Sequence, residues 1–180
     1  MEVGDLSRDR LLELLQDMAK RWLAHDGLWF QAVERAHGMD EAIRADSEAW
    51  RHFTVIEAER IKRFLNLPPA GGLAALAEAL NFRLYALVNR QEAIRVDEKT
   101  LLFRMNACRV QEARRRKGLP DFPCKSVGLV EYSWFARTID PRIETRVLTC
   151  PPDEHPPEYY CAWEFTLKDE AATTTRRDEH

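Results

Sequence analysis

A chain of 180 residues has room for one substantial hydrophobic core and too little for two ordinary domains. With 45% hydrophobic and 32% charged residues, only seven glycines and a formal charge of -3, it should fold, and its near-neutral balance argues against a general binder of nucleic acid or anionic membrane. The opening Met1-Glu-Val-Gly-Asp5 lacks the basic and apolar regions of a secretory signal, and no apolar run approaches the ~20 residues that span a bilayer, so a cytoplasmic protein is expected.

Ser7 is placed to cap a helix in which Leu11, Leu14, Leu15, Met18, Trp22 and Leu23 recur at helical spacing. The stripe resumes past Gly27 with Trp29, Phe30, Val33 and Ala36 and ends at Gly38. Asp40 is the expected cap of a second helix, with Glu41 in its first turn and Ile43, Trp50, Phe53, Ile56, Ile61 and Phe64 on its buried face, up to about Leu67 before Pro68-Pro69. Glu57 falls on or beside that apolar stripe, where a buried carboxylate needs a partner such as Arg60 or His25. Glu34 and His37 form the Glu-x-x-His unit of di-metal bundles, but no second unit accompanies it. A short apolar helix, Leu73 to Leu80, follows Gly71-Gly72.

From Asn81 the period changes. Arg83 to Val88 and Ile94 to Val96 are strand candidates, with extension of the preceding helix as the alternative for the first, and Leu101, Phe103, Met105 and Ala107 alternate with Leu102, Arg104, Asn106 and Cys108. A basic helix from about Val110 to Lys117 leads through Gly118-Leu-Pro120 and Phe122-Pro123 to Cys124, after which Ser126 is the expected cap of a helix to about Thr138. Ile143 to Thr149 and Tyr159 to Leu167 should pair as an antiparallel hairpin across the proline-rich segment Cys150-Pro-Pro-Asp-Glu-His155-Pro-Pro-Glu-Tyr-Tyr-Cys161. The expected fold is therefore α+β: a single domain over 1–170, with a helical half at 7–80 covering an antiparallel sheet of about four strands and one further helix at 81–168. A disordered tail at 171–180 completes the reading.

All four cysteines lie in the second half, and outside an oxidising compartment they read as thiols that are packed, reactive or metal-bound. Cys124, Cys150, His155 and Cys161 would make a Cys3His set for zinc or iron, although no CxxC supplies the usual knuckle. For nucleophilic catalysis, Cys124 just before a helix start is the thiol with a mechanism, because the helix dipole favours a thiolate there. Cys150 is the other candidate nucleophile, and His155 the candidate proton carrier. Arg104, Asn106, Arg146 and Glu164 share a strand parity and are candidate substrate-binding residues in a cleft, or a solvated face.

Two resemblances attach to these residues. His25-Asp-Gly-Leu-Trp29-Phe-Gln-Ala-Val-Glu34, Trp50 with Glu57-Ala-Glu-Arg60-Ile, and Cys108-Arg-Val-Gln111 with Gly118-Leu-Pro-Asp-Phe-Pro-Cys124 resemble a bacterial cytosolic family of unassigned function related to the L-2-amino-thiazoline-4-carboxylate hydrolase-like proteins. The C-terminal third, with Cys124, Gly128, Cys150 and Cys161 in order, is similar to the 4-vinyl reductase domain, with Pro151-Pro152 and Pro156-Pro157 in place of its glycine-bearing turn. The first implies a hydrolase-like enzyme opening a C–N or C=N bond, with Cys124 or Cys150 attacking, Arg104 or Arg146 holding a carboxylate and His155 moving protons. The second implies a non-enzymatic sensor of a small ligand or of zinc or iron. A purely structural interaction protein is the third reading. The expected partner is a small molecule, with no nucleic acid or membrane, and a homodimer is left open.

Overall fold

The computed structural model describes residues 1–169, so the expected tail at 171–180 lies outside the described residues. Ser7 opens α1 (Arg8–His37), its hydroxyl accepting from the Arg10 backbone N–H at 3.4 Å and so satisfying one of the donors a helix start leaves unpaired. Gly38 then takes φ 89°, in the left-handed region that favours glycine, and turns the chain directly into α2 (Met39–Leu65). Helix α2 thus begins one residue before the expected cap, and Asp40 sits with Glu41 in the first turn, at the positive end of the helix dipole. It ends at Leu65, short of Leu67, because Asn66 adopts φ 53°. Helix α3 (Gly72–Leu80) buries Leu73, Ala75, Leu76, Ala79 and Leu80.

Arg83 to Val88 does not form the expected strand. Leu84–Leu87 is a 3-10 turn, and Arg83 is drawn into the interior by two carboxylates, a long-range contact that overrides the local alternation. Strand β1 (Arg90–Arg95) pairs with β2 (Thr100–Ala107), which is followed by α4 (Arg109–Arg116), α5 (Lys125–Ile139), β3 (Ile143–Thr149) and β4 (Cys161–Leu167). The sheet order is β1-β2-β4-β3 with every neighbour antiparallel, so the α+β reading and the β3–β4 hairpin both hold. Cys124, not Ser126, occupies the cap position of α5. It makes no side-chain cap; the proline-rich loop takes that role, with the Lys125 N–H donating to Pro151 O at 3.0 Å and Lys125 Nζ paired to Asp153 at 2.8 Å.

The expected alternation on β2 places Leu101, Phe103 and Met105 inward, against Trp163 and Phe165 of β4 and Phe135, Ala136 and Ile139 of α5. Helix α5 lies between the sheet and α2, and α1 packs on α2. Thr54 Oγ1 donates to Glu131 O at 3.1 Å and Lys62 Nζ to Thr138 O at 2.8 Å, so α2 is bonded to α5 at two levels. A second apolar cluster forms around Trp50, Phe122 and Val127, with Trp22 stacked on Phe53 and Trp50 stacked on Tyr85.

Gly128 sets how closely α5 approaches the sheet. A Cβ built there would stand 2.8 Å from Cζ2 of Trp163, a fully buried ring with no room to retreat. Gly128→Ala is expected to destabilise the fold by about 1–3 kcal/mol, measured as a lower urea midpoint at unchanged slope, and Trp163→Phe in the same chain should restore part of the loss.

Candidate functional site

Arg83, 2% exposed, lies at the junction of α2, α5 and the 3-10 turn. Its Nε donates to Glu57 Oε2 at 2.9 Å, and the Leu84 N–H reaches Glu57 Oε1 at 3.3 Å. Nη1 stands 2.7 Å from Glu131 Oε1 as an ion pair, and neither Glu131 Oε1 nor the buried Arg83 Nη2 has a well-aligned hydrogen-bond partner. Four rings surround the guanidinium: Phe135 at 4.7 Å, Tyr132 at 5.4 Å, Tyr85 at 5.7 Å and Trp50 at 5.8 Å. Burial by itself would favour loss of the Arg83 proton, and the charges of Glu57 and Glu131 outweigh it, so the side chain stays cationic. Glu57 is therefore a structural ion-pair carboxylate as its position suggested, with Arg83 as partner in place of Arg60 or His25.

Beside this network a cavity of about 390 Å³ opens between α1, α2, α4, α5 and the sheet, a size typical of small-molecule sites. Its apolar walls come from Phe30, Trp50, Tyr85, Met105, Tyr132 and Trp163. The Phe122–Cys124 segment is fixed to α4 by a two-way amide clamp, in which Gln111 Nε2 donates to Phe122 O at 2.9 Å and Gln111 Oε1 accepts from the Phe122 N–H at 2.8 Å. Arg114 extends the clamp, its Nε donating to Pro120 O at 2.8 Å and its guanidinium facing Glu34 of α1 at 3.3 Å.

Besides the basic residues Lys20, Arg109, Arg114, Arg116 and Lys117, two polar groups break the apolar lining. The first consists of Cys108, Cys124, Cys150 and Cys161, all free thiols. Cys124 and Cys150 sulfurs are 3.5 Å apart, Gln111 Nε2 donates to Cys124 Sγ at 3.5 Å, and Trp163 Nε1 donates to Cys161 Sγ at 3.3 Å. Hydrogen bonding to Cys124 and Cys161, with burial, raises the Cys150 thiol far above its ordinary range, and burial pushes Cys108 up to about 12. The second consists of Asp26, Asp46 and Glu131. Asp46 is pushed up to about 7 by burial and then by the charges of Asp26 and Glu131, partly offset by a hydrogen bond from the Trp50 side chain. Burial also raises Glu131, with Arg83 pulling it back, and raises Asp26, with His25 opposing.

His155 stands apart from the thiols. Its Nδ1 lies 2.9 Å from Pro156 O, its ring is 5.3 Å from that of Tyr160, and it borders a separate surface hollow with Asp121 and Asp153. The Cys3His set is not assembled: among the described residues no three His, Cys, Asp or Glu side chains group in a way that could hold a metal. Arg104, Asn106, Arg146 and Glu164 do not border the cavity. They lie on the sheet face turned from the helices, where Arg146 pairs twice with Glu164 at 3.0 Å and Arg104 covers the Tyr159 ring at 5.1 Å. Sequence reasoning missed Arg83, Asp46 and Glu131. Glu131 had a signal, a lone carboxylate inside the apolar run Val127-Gly-Leu-Val-Glu-Tyr-Ser-Trp-Phe135.

The chain belongs to the family of unknown function DUF6125, matched over residues 4–167. No curated protein matches it. Among solved structures, the phenol-responsive sensory domain of the transcription activator PoxR, crystallised with phenol, is similar at 18% identity and a TM-score of 0.55, covering 80% of this chain and 73% of that one. A trafficking protein particle complex subunit 3 from Naegleria fowleri, covalently bound to palmitic acid, is similar at 9% identity and a TM-score of 0.48, covering 86% of this chain and 95% of that one. At 18% identity the likeness to the PoxR domain is one of fold alone. These matches give the hydrolase-like resemblance no support. No helix of this DUF6125 chain, among the described residues, is long and apolar enough to cross a membrane.

Replacing Arg83 with methionine leaves Glu57 and Glu131 buried without their cation, and is expected to cost about 3–5 kcal/mol in urea unfolding. Adding Glu57→Gln and Glu131→Gln to that variant should recover more than half of the loss. Asp46 makes a second prediction. Its carboxyl is held up near 7 in the fold against 3.8 for the free side chain, so the folded state binds the extra proton between those values. Stability should therefore fall as pH rises from 4 to 7, by at most about 4 kcal/mol. Asp46→Asn should match the parent's melting temperature near pH 4 and exceed it near pH 8.

Proposed function

We propose that this DUF6125 chain is a small-ligand sensor domain, with its ligand seated in the cavity between the helices and the sheet. The observation that carries the reading is the cavity itself: about 390 Å³, walled largely by aromatic and aliphatic side chains, with carboxylates, thiols and several basic side chains among them. The fold it shares with a domain that responds to phenol supports the reading, as does the resemblance of the C-terminal third to the 4-vinyl reductase domain. The ligand is a compact, mainly apolar molecule with aromatic character, since stacked and edge-on ring contacts suit Trp50, Tyr85 and Tyr132.

Hydrolysis through a thiol is the weaker reading. A nucleophilic cysteine needs a lowered pKa and a base within hydrogen-bond reach, whereas Cys108 and Cys150 are pushed upward and His155 bonds to its own loop. The test is thermal melting of the full chain with phenol, indole, phenethyl alcohol and phenethylamine. A ligand at a hundredfold excess over its Kd stabilises by about 2.7 kcal/mol, which several degrees of melting shift would report. At least one probe should produce that shift, and Val110→Trp, which fills the cavity from α4, should remove it. A flat response to all four probes in both proteins would sink the sensor reading.

A further inference from the structure

We infer that the cavity selects a monocation, an apolar or aryl-alkyl amine whose ammonium group sits among Asp26, Asp46 and Glu131 while its body lies against Trp50, Tyr85 and Tyr132. The inference rests on the cavity being the ligand site and adds the charge of the ligand.

Charge balance in the interior is the first argument. Four carboxylates, Glu57 and Glu131 buried and Asp26 and Asp46 half-buried, interact within one neighbourhood, where among the described residues Arg83 is the guanidinium paired with them. Arg83 commits Nε to Glu57 and Nη1 to Glu131. Neither Asp26 nor Asp46 pairs with a lysine or arginine among the described residues, and both face the cavity. Each charge left without a partner in a poorly hydrated space is costly, and an ammonium group there removes the excess.

A second, independent observation is Glu131 Oε1. Glu131 is 7% exposed and borders the cavity, and this oxygen accepts no hydrogen bond despite its nearby counter-ion. An ammonium carries three donors and no acceptor, the complement of such a wall. A neutral hydroxyl supplies one donor and leaves the excess charge in place. The surrounding rings Trp50, Tyr85 and Tyr132 present π faces that attract a cation and already hold Arg83 in that way.

The cavity's basic residues do not reverse this preference. Lys20, Arg116 and Lys117 are exposed, so water screens them at the mouth, Arg114 is held by Glu34 and Pro120 O, and Arg109 lies half-buried in the first turn of α4, on a different element from Asp26, Asp46 and Glu131.

Calorimetric titration of the full chain with phenethylamine and with its neutral near-isostere phenethyl alcohol, near pH 8, tests the charge directly. Phenethylamine should bind about tenfold tighter, the difference expected when neutral hydrogen bonds become charge-assisted ones. Asp46→Asn and Asp26→Asn should each collapse that preference toward unity. Equal affinities for the two probes in the parent, or an undiminished preference in both variants, would overturn the cation inference while leaving the cavity as the ligand site. Binding of phenol or indole with none of phenethylamine would do the same. If no probe binds, the sensor reading falls together with it.

Discussion

Arg83 is the constraint around which this molecule is organised. A guanidinium 2% exposed can persist only with its charge compensated, and the two carboxylates that compensate it come from helices α2 and α5. That requirement brings together elements far apart in sequence and fixes the rotation of both helices, since Glu57 and Glu131 must point at the same place. It also decides the local structure of the segment carrying the arginine, which becomes a tight turn where its alternation suggested a strand. Phe135, Tyr132, Tyr85 and Trp50 close around the guanidinium, so one ionic junction also orders the aromatic lining of the neighbouring cavity.

The cavity follows from the way the remaining elements are held apart. Helix α5 is seated on the sheet through the contact of Gly128 with Trp163, and α4 is clamped to the loop before α5 by Gln111 and to α1 by Arg114. Close packing everywhere would have filled the space between them; the clamps hold the walls at a distance that leaves it open. Its lining then combines ring faces with carboxylates whose own repulsion is incompletely relieved. On the sensor function proposed above, a ligand that complements this lining stabilises the folded chain by binding it.

The thiols illustrate how convergence differs from activation. Four cysteines surround one side-chain cluster, and two of their sulfurs are 3.5 Å apart. The Cys124 position before α5 is the one at which a helix dipole favours thiolate. Neighbouring thiols and burial act the other way on Cys150, and burial acts the other way on Cys108. The proline-rich loop carries His155 away from them to a surface hollow, its ring nitrogen facing the Pro156 carbonyl. Proximity in sequence to Cys150 and Cys161 was no guide to where the imidazole would face.

Much of the fold was legible because it depends on local patterns. Ser7, Gly38 and Gly118 mark element ends by capping and backbone preference, the leucine and tryptophan stripes of the first two helices recur at helical spacing, and the alternation of Leu101, Phe103 and Met105 assigns the inward face of β2. Glu57 on an apolar stripe announced a buried ion pair. The partner could not be read, because Arg83 is a neighbour only after the chain folds. Asp46 carried no local signal, and Arg104, Asn106, Arg146 and Glu164 shared a parity that placed them together on the wrong side of the sheet for the cavity. The sequence by itself therefore determined the α+β class, most of the element order and the inward face of β2, since these follow from periodicity within a dozen residues, whereas Ile56 and Phe64 of the expected buried face of α2 are exposed. Tertiary structure alone decided which carboxylates meet which cation and where space remains, because desolvation and charge pairing act between residues that only the folded chain brings together.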